Sequence, residues 1–169
     1  MKMITSYPAK LTCITIAFYL MLTGCAPILS QSTLNVIDLT ITFPKILDHP
    51  DSYTGKRVVC GGRILELKAR NEEIWLEVLQ QPLDTRYRPE NSDFSQGRFF
   101  IILKGDADPS IYPRDRRVTV VGEVTGSMVS PIKDMPYKYP VITPQELILI
   151  DAYPFYDRTN RLYYSAAKK

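Results

Sequence analysis

Few side chains in this 169-residue sequence are equipped for chemistry, and they are scattered: three cysteines and a single histidine. Cys25 stands in the stretch LTGCAP, behind an apolar run and ahead of the first acidic residue, Asp38. Cys60, in RVVCGG, reads as a small buried hydrophobe. A catalytic thiol or a Ser-His-Asp arrangement needs a base, and the only one on offer is His49, beside Pro50 in an expected turn. No Cys/His cluster has metal-ligand spacing, and no glycine-rich stretch forms a phosphate cradle. The acidic pairs Glu72-Glu73 and Asp106-Ala107-Asp108 fall in expected loops, where nothing would raise one carboxyl as glycoside hydrolysis requires. No catalytic residue and no metal are therefore expected, and the chain does not read as an enzyme.

Binding chemistry is better represented. The stretch QQPLDTRYRPENSDFSQGRF, between the second and third expected strands, holds Arg86, Tyr87, Arg88 and Arg98. Arginine and tyrosine are enriched at binding surfaces, so these four are the candidate partner-binding residues. A solvated loop stiffened by Pro82 and Pro89 is the alternative. Trp75 fits strand packing, and the aromatic residues of the tail (Tyr153, Phe155, Tyr156, Tyr163, Tyr164) fit docking, membrane contact or self-association.

The elements that place these residues begin with a leader. Residues 1–24 carry Lys2 and Lys10 near the start, an apolar run at Leu11–Leu22, and small residues at Thr23-Gly24. That order describes a secretory signal peptide. A dozen apolar residues make about 18 Å of helix, too short for a hydrocarbon core of about 30 Å. In place of an A-x-A-like exit, Leu22-Thr23-Gly24-Cys25 resembles the bacterial lipobox. The resemblance implies cleavage before Cys25, diacylglycerol on its thiol and an acyl chain on its amino group. No other cofactor is expected. Two or three chains together would hold firmly, at about 0.8 kcal/mol per buried methylene. Cys13 leaves with the leader, so the mature chain keeps Cys60 with no cysteine to pair with. Without the leader's two lysines, the 21 basic and 18 acidic residues leave a net charge of +1. That balance argues against nucleic-acid binding.

Residues 25–42 read as a lipidated N-terminus and flexible tether, with one helical turn expected at Pro44–His49. Period-two alternation then marks five strands: Lys56–Lys68, bent at Gly61-Gly62; Glu73–Leu79; Arg98–Lys104; Arg117–Thr125; and Val141-Ile142 continuing at Glu146–Ala152. In the second, Ile74, Leu76 and Val78 share one face. A long non-hairpin connection separates strands three and four. Residues 43–152 are thus expected to form a mainly β domain, a small five-stranded OB-like antiparallel barrel. A general antiparallel barrel or sandwich is the alternative. Residues 153–169 form an aromatic, basic C-terminal tail.

Several blocks together resemble the Slp family of Gram-negative outer-membrane lipoproteins associated with starvation and stationary phase. They are the lipobox with Cys25, GGRI at Gly61–Ile64, LEVLQQPLD at Leu76–Asp84, and Arg88-Pro89. SQGRF at Ser95–Phe99, DPSIY at Asp108–Tyr112, RRVTVVGEVTG at Arg116–Gly126 and YKYPVI at Tyr137–Ile142 complete the set. The resemblance implies an outer-membrane protein held by its lipid. Ala26-Pro27-Ile28 after the cysteine, with no acid, implies by the same resemblance the outer rather than the inner membrane, facing the periplasm by default, with surface exposure as the alternative. Two functions stay open: docking an envelope protein in support of the envelope under stress, or binding an envelope glycan such as peptidoglycan or lipopolysaccharide. Aromatics clustered on one barrel face would suit the glycan. An apolar or Arg/Tyr patch around Leu83–Arg98 would suit the protein.

Overall fold

The computed structural model describes residues 28–29, 31–70, 73–104 and 108–150, together with the backbone of 155–156 and 162–163. The leader, Cys25, Glu72, Asp106 and most of the tail lie outside the described residues.

Alternating apolar residues build five strands: β1 (Arg57–Arg70), β2 (Glu73–Gln80), β3 (Arg98–Lys104), β4 (Arg117–Ile132) and β5 (Met135–Ile150). They close into a barrel in the order β1-β2-β3-β5-β4, with β4 pairing back onto β1. The closed five-stranded barrel is the architecture the sequence predicts. One seam differs from the antiparallel expectation, because β3 runs parallel to β5 through Phe100↔Val141 and Ile101↔Ile142. A chain crossing from β3 to β4 without a hairpin leaves β5 to close that seam in the parallel sense.

The barrel interior takes one residue in two from each strand. Val58, Cys60 and Ile64 of β1 meet Ile74, Leu76 and Val78 of β2, Phe99 and Ile101 of β3, Val118 and Val120 of β4, and Ile142 of β5. Two short elements complete this core. In α2 (Phe43–Asp48), Pro44 sits in the first turn, where its missing N–H costs nothing, and the helix stops before Pro50. It contributes Phe43 and Ile46, and the Phe43 ring lies 5.5 Å from that of Phe99. Between β3 and β4, a single tight turn at Pro109–Ile111 delivers Tyr112.

The strand bend falls elsewhere than the glycines suggest. The register of β1 against β2 shifts between Ile64 and Glu66, beyond Gly61-Gly62. The glycines instead permit close approach. A Cβ on Gly62 would run into the Leu79 carbonyl, and one on Gly61 into the side chains of Leu83 and Pro89.

The β4–β5 hairpin is much longer than alternation reveals. Its ladder runs to Ile132↔Met135, around the two-residue turn Lys133-Asp134, where Lys133 takes a left-handed φ of 55°. Pro136, Pro140 and Pro144 lie at even spacing in β5, so their missing N–H groups all fall on one side of the strand. The hairpin root is pinned where Ser127 Oγ and Lys138 Nζ both donate to the Asp51 carboxylate.

The expected free tether is in fact partly seated. A short helix, α1 (Gln31–Leu34), follows Ile28-Leu29, and Leu29 and Ile37 are buried against Val121 on the outside of β4. Beyond the barrel, β6 (Phe155–Tyr156) and β7 (Leu162–Tyr163) pair as a two-stranded sheet.

Gly62→Ala is expected to destabilise the protein by about 1–3 kcal/mol, since backbone rather than a flexible side chain occupies the space. Denaturant unfolding checks this. An unchanged midpoint would show that β1 and β2 can part without loss.

Candidate functional site

The barrel carries two apolar clusters on its outside, and the strand order places them on opposite sides. One lies over β1, β4 and the C-terminal half of β5. The other lies over β2, β3, the N-terminal half of β5 and the far end of β4.

On the first side, the loop after β2 folds flat along β1 and β4. Asp84 organises its tip: one carboxylate oxygen accepts the amides of Arg86 at 2.8 Å and Arg88 at 2.9 Å. Between them Tyr87 adopts a left-handed φ of 62°, a conformation that costs a bulky residue of order 1–2 kcal/mol. Its amide donates to Asp84 O, and its carbonyl accepts the Thr119 hydroxyl at 2.7 Å. Arg117 Nη1 holds the Pro89 carbonyl at 3.1 Å. The Tyr87 ring packs with the N-terminal segment, Val59 and Ile148 around Leu29, Ile37 and Val121. The Ile28 amide donates to the Arg86 carbonyl at 3.3 Å. A cleft of about 550 Å³ runs between Asp38–Pro44, Val59–Gly61 and this loop.

On the second side, rings form a ladder across the sheet. Trp75 meets Phe100 edge-on at 5.6 Å, Phe100 lies 4.4 Å from Tyr139, and Tyr139 lies 4.7 Å from Tyr137. The Arg70 guanidinium sits 5.7 Å over Trp75. Phe100 and Tyr139 are 4% and 2% exposed, whereas Trp75, Tyr137, Ile102, Met128 and Ile132 are only partly covered. The ladder pairing Ile132↔Met135 continues this face to Met135, which is 73% exposed.

The four arginine and tyrosine candidates are thus divided between the two sides. Arg86, Tyr87 and Arg88 share the loop, while Arg98 belongs to the ring ladder. Arg98 Nη1 donates to Glu77 Oε1 at 2.7 Å, and the Tyr139 hydroxyl reaches the same oxygen at 3.1 Å. The Arg98 amide donates to the Tyr137 hydroxyl at 2.9 Å. Burial, reinforced by the Glu77 carboxylate beside it, pushes the Tyr139 hydroxyl up to about 12. The sequence signals neither Glu77 nor Tyr139 as special. Glu77 stands at an outward position of an alternating strand, where a carboxylate normally meets water. Trp75 joins the outer ladder rather than the interior.

The reactive residues stay apart. Cys60 is buried in the barrel, and burial pushes its thiol up to about 12, whereas His49 is exposed at the end of α2. Among the described residues, no group of three or more His, Cys, Asp and Glu side chains is placed to hold a metal. No helix among them is long and apolar enough to cross a membrane.

A closed five-stranded OB-like barrel is the class of scaffold defined here, and such a scaffold by itself specifies neither ligand nor activity. The chain belongs to the outer membrane lipoprotein Slp family, whose model matches residues 22–166. Two relatives come from Escherichia coli (strain K12). The "Uncharacterized lipoprotein YeaY" is 32% identical over 129 residues, covering 74% of this chain and 64% of its own length. The "Outer membrane protein Slp" is 28% identical over 105 residues, covering 62% of this chain and 55% of its own length. The matched part thus spans roughly three-fifths of each relative. Among solved structures, "OBody AM3L09 bound to hen egg-white lysozyme" gives a TM-score of 0.40 at 16% identity, covering 74% of this chain and 97% of that one. That score is too low to bear on the site.

Two substitutions test these faces. Asp84→Ala removes the acceptor of two loop amides and is expected to cost about 2 kcal/mol, read by denaturant unfolding. For Tyr139, the folded protein holds a proton that the unfolded chain releases near pH 10. Stability from this group is complete below about 10 and is lost as pH rises through about 12. Tyr139→Phe should therefore flatten the alkaline fall in unfolding midpoint, leaving the part that Cys60 contributes in the same direction. An identical slope in both proteins would show that Tyr139 titrates normally.

Proposed function

We propose that this outer-membrane lipoprotein is a non-enzymatic docking module, anchored by diacylglycerol and an N-acyl chain on Cys25 and facing the periplasm. Its barrel would hold an envelope protein partner and support the envelope under starvation or stress. The observation that carries this reading is the outer face of β2, β3 and β5, where a half-covered aromatic and aliphatic strip ends in the exposed Met135. Aromatic and methionine side chains of this kind are typical of protein-docking surfaces. The loop at Arg86–Arg88 is the less suited face for a protein, because its backbone is tied to the barrel and the Tyr87 ring is already packed.

The glycan reading draws on the same ladder, since aromatics do gather on one barrel face. Sugar stacking needs open ring faces, however, and Phe100 and Tyr139 cover one another. A crosslinking residue at Met135 in stationary-phase cells separates the two readings. Val129 serves as the control, being exposed on the opposite face of the same hairpin. A discrete protein adduct from Met135 alone is expected. A muramidase-sensitive or lipopolysaccharide-bearing smear would favour the glycan, and no adduct would remove the face from consideration. Anchoring is checked separately by intact mass. The expected mature protein begins at Cys25 with both lipid groups attached, and an unmodified Cys25 would overturn that assignment.

A further inference from the structure

We propose that the outer face of β1, the N-terminal half of β4 and the C-terminal half of β5, overlaid by residues 28–29 and 31–39 and the loop at Asp84–Arg88, rests on phospholipid headgroups. The leaflet concerned is the one that holds the Cys25 acyl chains, so the inference builds on the anchoring reading above. The aromatic strip then points away from the membrane.

The argument starts from covalent reach. Ile28 and Leu29 are already seated: the Ile28 amide bonds the Arg86 carbonyl, and Leu29 is 2% exposed in the cluster with Ile37 and Val121. Cys25 lies three residues before Ile28, a span of at most about 11 Å. Acyl chains on Cys25 must therefore enter the bilayer next to this face. They cannot do so from beneath β2 and β3, because the strand order puts a whole barrel in between.

The composition of the face suits that position. Leu39 is 56% exposed and lines the same cleft as Tyr87, and Val36 is exposed nearby on the same segment. Arg86 and Arg88 flank Tyr87. Apolar side chains beside arginines match a headgroup boundary, where the apolar parts meet acyl chains and the guanidinium groups meet phosphates. The neighbouring acids are already engaged: Asp38 accepts from the Thr40 amide and hydroxyl, Asp84 from the two loop amides, and Glu146 from the Thr33 hydroxyl.

The test uses the full lipidated protein in vesicles of phosphatidylethanolamine with a minority of phosphatidylglycerol. A fluorophore is placed at Leu39→Cys or at Met135→Cys, both exposed positions, while Cys60 is buried and escapes labelling. Flotation reports attachment, and quenching by headgroup-spin-labelled lipid reports proximity. Co-flotation with several-fold stronger quenching at Leu39 than at Met135 is the expected result. Co-flotation with equal or reversed quenching would overturn the orientation alone. Failure to float would overturn anchoring, and the orientation with it.

Discussion

The arrangement depends on one steric constraint: β1 must pair with two neighbours at once while other chain segments press onto it. Gly62 faces Gln80 of β2 and Val118 of β4, and Arg63 faces Leu79 and Arg117. At this crossing the Leu79 backbone occupies the space a Gly62 side chain would fill, and Leu83 and Pro89 lie on Gly61. Because the loop after β2 can lie flat there, Tyr87 reaches Val59 and Val121. Because Tyr87 reaches them, the N-terminal segment finds an apolar seat outside the barrel. Two absent side chains thus govern closure of the barrel and also where the N-terminal segment is seated on it.

What the sequence made legible follows from how local the signal was. Alternation marked Ile74, Leu76 and Val78 as one face, and the unbroken apolar run Phe99–Leu103 gave Arg98–Lys104 its full extent. The far end of the β4–β5 hairpin stayed hidden. Prolines at 131, 136, 140 and 144 read locally as breakers, and only the pairing of two strands shows that β5 keeps its missing N–H groups to one side. The seat of the N-terminal segment was equally illegible, since Leu29 and Ile37 stand in short apolar pairs, Ile28-Leu29 and Val36-Ile37, that mark no strand or amphipathic helix. Their partner Val121 is far away in sequence.

The candidate site shows the same division. Arg86, Tyr87 and Arg88 adjoin in sequence and share one turn, so composition found them together. Arg98 was grouped with them through sequence proximity, yet its partners are Glu77 on β2 and Tyr137 on β5, with Tyr139 of β5 sharing the Glu77 carboxylate. An ion pair on an outer sheet face becomes recognisable only when strand register is known. The likeness of Leu22–Cys25 to a lipobox is a wholly linear signal that owes nothing to strand register.

The parallel seam between β3 and β5 has a consequence for how the barrel stays shut. Its register holds just two residue pairs, against fifteen between β4 and β5. Backbone bonding there is too sparse to act as the fastener. The rings of Trp75, Phe100, Tyr139 and Tyr137 straddle that join from outside, with the Arg98–Glu77 pair beside them. The ladder therefore serves as a clasp, and whatever grips or loosens those rings also sets how readily the cylinder breathes along its thinnest line.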